Sequence, residues 1–341
     1  MTTQLQEDND VQEDNINQQE DNDVQDNINQ IKNFENHQPF ETFEVSTKTY
    51  IVYTNMILKI EDIFYKKIIP ITPYVVVKKR RGRKKKIVQE DPNKDISEGS
   101  IIRLQYMQEY QGVLLRENTG QGYFRNSITI DIIADNKRLN FKVSRNGKFQ
   151  ITGCKSDTHA EKAILQFFSY IYPHRDVYEL KDVNYLKVYF DPVMYNIDFS
   201  LGFLVNRENL DIYINTKTDF TSLLETTFGY TGVNIKIPVS TEYSKLKIKC
   251  KEYINDDVQV SYIPYDVFLE NHMPPTKERT IKYNTFLVFQ SGKVIMSGKD
   301  IVFMENTYYE FLDVIKKCTP LIKEVLACKD TDGRPSGKRF K

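Results

Sequence analysis

The chain has 341 residues, 40% of them apolar, with 22 tyrosines, 20 phenylalanines and no tryptophan, which is ample material for more than one core. Lysine plus arginine and aspartate plus glutamate number 47 each, yet residues 1–38 hold ten acidic residues and one lysine, leaving 46 basic against 37 acidic residues in the remainder. No apolar run approaches the ~20 residues of a membrane-spanning helix, the first residues are too polar for a signal peptide, and the four scattered cysteines (Cys154, Cys250, Cys318, Cys328) form no Cys-x-x-Cys pair, so a zinc or redox framework is excluded and a reducing compartment is the default.

Residues 1–38 repeat an acidic phrase, Gln6-Glu-Asp-Asn-Asp-Val-Gln and again Gln19-Glu-Asp-Asn-Asp-Val-Gln. With almost no apolar side chain to offset ordering entropy, this tail reads as disordered. A basic body behind an acidic tail fits a polyanion partner, and it equally fits a tail that only aids solubility. From Phe43 to Tyr53 the chain reads as a strand, and Ile60 to Ile69 has helical spacing that stops at Pro70. Lys78-Lys79-Arg80-Arg81-Gly82-Arg83-Lys84-Lys85-Lys86 is too densely charged to pack, so it reads as an exposed loop at 78–86. A phosphate-binding arm, a nuclear-import signal and a solvated insert are all open for it. Its Arg81-Gly82-Arg83 centre resembles an AT-hook with Lys84 in place of the proline.

Strands follow at Ile101–Tyr106, Ser127–Ile133 and Leu139–Thr152, with hairpin turns at Asp135-Asn136 and Asn146-Gly147. Thr158-x-x-Glu161 reads as a capping box opening a helix through Ile164, Phe167, Phe168 and Ile171, closed by Pro173. A second series then begins. Tyr185–Phe203 is strand-like, Asn206 caps a helix carrying Leu210, Tyr213 and Ile214, and Phe220–Leu224 reads as a short turn. Strands are expected at Gly232–Val239 and Leu246–Cys250, then a Pro-rich, charged insertion at about 251–280. Asn284–Ser297 is a hairpin. Thr307-x-x-Glu310 is a second capping box, and its helix is expected to end near Pro320 and resume as Leu321–Leu326.

The two hairpins carry related wording: Phe141-Lys-Val-Ser-Arg-Asn-Gly-Lys-Phe-Gln-Ile-Thr-Gly153 and Phe286-Leu-Val-Phe-Gln-Ser-Gly-Lys-Val-Ile-Met-Ser-Gly298. Their Gly-Lys pairs stand 145 residues apart and the capping boxes 149, the mark of a duplicated unit. The expected organisation is an acidic tail (1–38), a first repeat (39–180) with the basic loop, a second repeat (181–328) with the insertion, and a basic C-terminal tail (329–341).

These hairpins, with Tyr230-Thr-Gly-Val-Asn-Ile-Lys-Ile-Pro238, resemble the TATA-box-binding protein family, and in their wording the divergent TATA-binding-like proteins of large nucleocytoplasmic DNA viruses. The resemblance implies an α+β fold: two tandem repeats forming a saddle, a curved antiparallel sheet with helices on the convex side and a concave side that lies in the minor groove. It places Leu287, Phe289, Ile295 and Ser297 on the DNA-facing positions of the second repeat, with Lys293 in the turn. Phe289 stands where the family inserts a phenylalanine between base steps, Tyr230 at its partner phenylalanine, and Asn196 at the asparagine that reads base acceptors. Ordinary sheet packing is the competing reading of Phe289, while Phe141, Val143, Phe286 and Val288 read as core.

In the first repeat the same positions are Lys142, Ser144, Gln150 and Thr152, where polar residues replace apolar ones and Ser144 replaces a wedge. Phe124 stands in as the other wedge, Lys148 and the run with Lys79, Arg80, Arg81, Arg83 and Lys84 as phosphate contacts. Asp198 is awkward on a face turned to phosphates. The four histidines (His37, His159, His174, His272) have no metal-ligand spacing. Thr119-Gly120-Gln-Gly122 lacks a following lysine and helix, so neither an enzyme nor a cofactor is expected. The implied function is transcription initiation on promoter DNA. A·T-rich duplex, a transcription factor IIB-like factor and RNA polymerase are the partners, with no membrane, in the host cytoplasm at a viral replication site, in the nucleus or in the virion. A saddle module binding nucleic acid without promoter specificity, as in the saddle domains attached to type 3 RNases H, or one binding protein, is the alternative.

Overall fold

The computed structural model describes residues 38–76, 92–114, 124–224, 231–239, 245–255, 257–272 and 282–324. The acidic tail up to residue 37, the basic run 78–86, Tyr230 and the C-terminal tail lie outside them. In chain order the first elements are β1 (Val45–Thr54), β2 (Met56–Leu58), α1 (Ile60–Tyr65), β3 (Ile101–Tyr106), β4 (Glu109–Gly112), β5 (Ser127–Ala134), β6 (Lys137–Ser144), β7 (Lys148–Cys154), α2 (Asp157–Ile171) and β8 (Tyr178–Leu180). Then come β9 (Leu186–Ser200), α3 (Arg207–Lys217), β10 (Thr221–Leu224), β11 (Gly232–Pro238), β12 (Lys247–Ile254), β13 (Asp257–Pro264), α4 (Tyr265–His272), β14 (Tyr283–Phe289), β15 (Lys293–Gly298) and α5 (Met304–Ile322). The class is α+β with antiparallel strand pairing.

The chain divides into two compact units. The N-unit consists of the described residues within 45–196 and 240–280, and the C-unit of those within 38–44, 197–239 and 281–324. The insertion expected at 251–280 is thus a β-hairpin and a helix, β12, β13 and α4, counted with the N-unit rather than with the repeat that surrounds it in sequence.

In the N-unit the strand order is β9-β1-β7-β6-β5-β3-β4, with β12 also paired to β9 and β13 to β12. Alternation along β6 and β7 turns Phe141, Val143, Phe149 and Ile151 to one face, where they are fully buried. Helix α2 lays Ala163, Ile164 and Phe167 on them, the Phe167 ring 5.4 Å from Phe149 and 6.3 Å from Phe141, both edge-on. Each such side chain is worth roughly 1.5–3 kcal/mol of burial. The Asp135-Asn136 turn has both residues at positive φ, 49° and 55°, the conformation that two-residue hairpins demand.

The first capping box does not form. Helix α2 starts two residues earlier than Thr158 as N-cap would place it, with Ser156 as N-cap and no side-chain cap bond. Glu161 turns instead to the insertion, accepting from Lys251 Nζ with both oxygens at 2.7 Å and from Tyr253 Oη at 2.7 Å. Helix α1 also stops short of the expected Ile69, because Lys67 takes a left-handed φ of 51°.

In the C-unit the order is β10-β11-β14-β15 followed by the Ile197–Ser200 end of β9. Val233, Ile235, Phe286, Val288, Val294 and Met296 are buried beneath helices α3 and α5, and Phe286 stacks on Phe311 with centroids 4.2 Å apart and planes 7° off parallel. Asn206 caps α3, its side chain accepting from the Asn209 amide at 3.0 Å. Thr221–Leu224, expected as a turn, is strand β10, held in register on β11 from Thr221↔Lys236 to Leu224↔Val233. The second capping box is also absent. Helix α5 begins at Met304, so Thr307 lies within its first turn, its hydroxyl donating to Met304 O and accepting from buried Asn284. Pro320 sits in the last turn of α5 without interrupting it.

One detail recurs in both units. A residue at the end of the first long strand donates to the glycine carbonyl of the last hairpin turn: Thr54, the last residue of β1, to Gly147 at 3.2 Å, and Leu201, just past β9, to Gly292 at 2.8 Å. Both glycines are left-handed (φ 66° and 76°), and a Cβ on either would run into a backbone carbonyl, Met56 O or Phe203 O. Gly147→Ala and Gly292→Ala are therefore each expected to lower the unfolding free energy by about 1–3 kcal/mol in urea titrations; a loss under ~0.5 kcal/mol would mean that the turns relax freely.

Candidate nucleic-acid interface

Helices cover one face of each sheet, so period-2 alternation leaves every second side chain on the other face. In the N-unit that open face carries Lys148, Gln150 and Thr152 of β7. Lys142 and Asn140 of β6 stand opposite Gln150 and Thr152, and Thr129 and Asp131 of β5 stand opposite Lys142 and Asn140. Ile51 and Tyr53 of β1 pair with Gln150 and Lys148. Phe124 is 63% exposed, and the Lys142 ammonium lies 3.9 Å from its ring centroid, a cation–π contact. Burial holds the Lys142 ammonium below the ordinary lysine range. Ser144 is occupied by its own turn, its single hydroxyl proton placed between two acceptors, Asn146 Oδ1 and the Lys148 carbonyl. Asn196 donates from Nδ2 to Thr47 Oγ1 at 3.0 Å, while its Oδ1 is buried with no hydrogen-bond partner.

Sequence reasoning missed the most buried polar group of this face. Asp131 is 3% exposed, accepts from Asn140 Nδ2 at 3.3 Å and lies 3.7 Å from Arg103. Burial lifts its carboxyl above the usual range, against the pull of Asn140, Arg103 and Arg138. The signal was available: Arg103 and Gln105 alternate with Ile102, Leu104 and Tyr106, so a polar stripe was legible in β3. Tyr53 and Tyr189 were also missed. Both sit on the open face, and helix α4 lies over them.

In the C-unit the open face is apolar. Leu287 stands opposite Ile295 and Asn234, Thr285 opposite Ser297, and Phe289 opposite Gly232. A Cβ at Gly232 would meet Leu287 Cδ1 at 2.6 Å, so the glycine makes room for that side chain. Leu287, Phe289, Ile295 and Ser297 are half-buried and Lys293 is exposed. Leu223 of β10, 62% exposed opposite Asn234, extends the patch; it was missed because its segment was read as a turn. Asp198 is exposed. Tyr230, Lys79, Arg80, Arg81, Arg83 and Lys84 lie outside the described residues.

His159 accepts from the Lys155 amide at Nδ1 and places Nε2 3.0 Å from Asp135. Burial lowers its pKa although Asp135 pulls it up. Among the described residues no group of three or more His, Cys, Asp or Glu is placed to hold a metal, and no helix is long and apolar enough to cross a membrane. Cys154, Cys250 and Cys318 are buried free thiols.

No family profile matches the chain. It is similar to uncharacterized protein 335L of Invertebrate iridescent virus 6, 23% identical over 212 residues, which is 57% of this chain and 61% of that protein. The matched stretch thus spans about three-fifths of the relative's length. Among solved structures it aligns with Methanococcus jannaschii TBP at 13% identity, over 81% of this chain and 98% of that one, with a TM-score of 0.37. A score that low carries no argument.

A carboxyl whose folded pKa is raised favours the folded state in its protonated form, so its contribution to stability declines as pH rises above the unfolded value of about 4. Asp131→Asn removes that decline. Unfolding free energies of the two proteins, compared from about pH 4 to pH 7, are expected to shift progressively in favour of the variant as pH rises; a shift in favour of the parent would mean that Arg103 governs the pair.

Proposed function

We propose that the chain binds duplex DNA through its open sheet faces, as a transcription-initiation factor of the TATA-binding type that contacts the minor groove and recruits the transcription machinery. The observation that carries the reading is the C-unit's apolar open face, Leu287, Phe289 and Ile295, with exposed Lys293 at the adjoining turn. A surface of this kind suits minor-groove binding, in which apolar side chains wedge between base steps while cations meet phosphate. Shared wiring of the two units supports reading them as two repeats of a saddle: leaving aside the short β2 and β4, the order β1-β7-β6-β5-β3 in the N-unit follows the same pattern as β9-β15-β14-β11-β10 in the C-unit. On this reading the chain is a binding protein rather than an enzyme. Its partners are A·T-rich duplex, a transcription factor IIB-like factor and RNA polymerase, at a viral replication site, in the nucleus or in the virion.

The polar N-unit face favours a second reading, a saddle module that holds nucleic acid without promoter specificity. Lys142, Gln150, Thr152 and Asn140 offer hydrogen bonds and charge where wedges would be needed. Fluorescence anisotropy with A·T-rich duplex, G·C-rich duplex and RNA–DNA hybrid separates the two. The first reading expects A·T preference, salt-sensitive binding, and at least a tenfold loss of affinity in Phe289→Ala, since unstacking a step involves a few kcal/mol. Equal affinity for all three probes, unaffected by Phe289→Ala, supports the second, and absence of binding at low salt refutes both.

A further inference from the structure

The chain leaves β11 and re-enters β14 through one hydrogen-bonded pair. The Val239 amide donates to the Lys282 carbonyl at 2.9 Å, directly beyond the register pair Pro238↔Tyr283. That hairpin is closed without the residues between, which build β12, β13 and α4 in the N-unit. Strand β12 extends the sheet along β9, from Lys249↔Phe190 to Tyr253↔Leu186, and is tied to α2 through Glu161. Helix α4 then takes the opposite side of the sheet. Phe268, 1% exposed, sets its ring 5.1 Å from Tyr53 and 5.9 Å from Tyr189. His272 stacks on Phe268 at 4.4 Å and meets Tyr189 at 4.7 Å and Tyr53 at 5.3 Å.

Tyr53 belongs to the open face because its neighbours Val52 and Tyr50 are buried on the α2 side, where the Tyr50 hydroxyl bonds Asp157. It is register-paired with Lys148, whose ammonium lies 4.7 Å from the Tyr53 ring. Helix α4 therefore occupies the strip beside that lysine. Asp266 and Glu270, each two residues from Phe268 and so on the outer side of the helix, expose their carboxylates there.

We propose that α4 is a built-in cover on the Tyr53–Lys148 strip of the N-unit's open face, clamped by Phe268 on Tyr53 and Tyr189, which a nucleic-acid backbone must displace to reach Lys148. The proposal rests on the duplex-binding reading above. Covering explains why an aromatic pair and a lysine stand on a face that is otherwise open, and the outward carboxylates repel a polyanion until the helix lifts.

The test compares the full chain with Phe268→Ala and with a variant whose residues 240–281 are replaced by an Asn-Gly turn, which suits a closed hairpin. Anisotropy of an A·T-rich duplex is followed through a salt series, with circular dichroism and a thermal melt reporting folding. Removing the clamp is expected to tighten low-salt binding roughly ten- to hundredfold, the weight of one docked phenylalanine. It is also expected to steepen the salt dependence by about one counterion, and Lys148→Gln added to Phe268→Ala should abolish both gains. Should the full chain bind and both variants bind no better, the cover is overturned while duplex binding stands. Absence of binding in all three proteins overturns both.

Discussion

Each unit depends on one aromatic ring from a helix set against the final hairpin of a sheet. In the N-unit it is Phe167, edge-on to Phe141 and Phe149; in the C-unit it is Phe311, stacked flat on Phe286. This contact decides which half of the alternating side chains is enclosed. Once Phe141, Val143, Phe149 and Ile151 face α2, their neighbours Lys142, Gln150 and Thr152 have no choice but the other side. The same holds for Leu287, Phe289 and Ile295 once Phe286, Val288 and Met296 are committed to α5. A one-residue slip in either hairpin would exchange core for surface, and the left-handed glycine in each turn pins the register against it.

The two open faces then differ in chemistry although they are produced alike. The C-unit face keeps apolar side chains half-covered by one another, with a glycine opposite Phe289 giving room. The N-unit face is a mesh of amides, hydroxyls and cations that ends in the buried pair Arg103 and Asp131. Buried ion pairs gain little over apolar packing and become costly when one partner is lost, so this corner is more rigid in chemistry than in strength. Phe124 is the exception on that side, an exposed ring with the ammonium of Lys142 against it.

Much of this was legible in the sequence because alternation and turn chemistry are local. The hairpins at Leu139–Thr152 and Asn284–Ser297, the Asn206 cap, and the division of Phe141 from Lys142 all follow from neighbours within a few residues. What failed was settled by distant partners. Thr158-x-x-Glu161 satisfies the pattern of a capping box, yet Glu161 is drawn to Lys251 and Tyr253, some ninety residues away. Thr221–Leu224 is too short and polar to announce itself, and becomes a strand only because β11 offers an unpaired edge. The charges and prolines of the insertion set it apart in the sequence, but the docking of Phe268 on Tyr53 is a tertiary event with no trace in spacing. The covering of the Tyr53 strip left no mark in the sequence.

Strand β13 ends its sheet with one side unpaired, and Val258, Val260 and Tyr262 are about half exposed or more along it. Such an edge is a template for another strand, the commonest route from a soluble sheet to an aggregate. The adjoining row on β12, Lys247, Lys249 and Lys251, faces the same way as those apolar side chains, since they are register partners of Pro264, Tyr262 and Val260. Two copies approaching edge to edge would bring Lys247 and Lys249 of each together, Lys251 being already paired with Glu161, and salt screens that repulsion while leaving the apolar stripe intact.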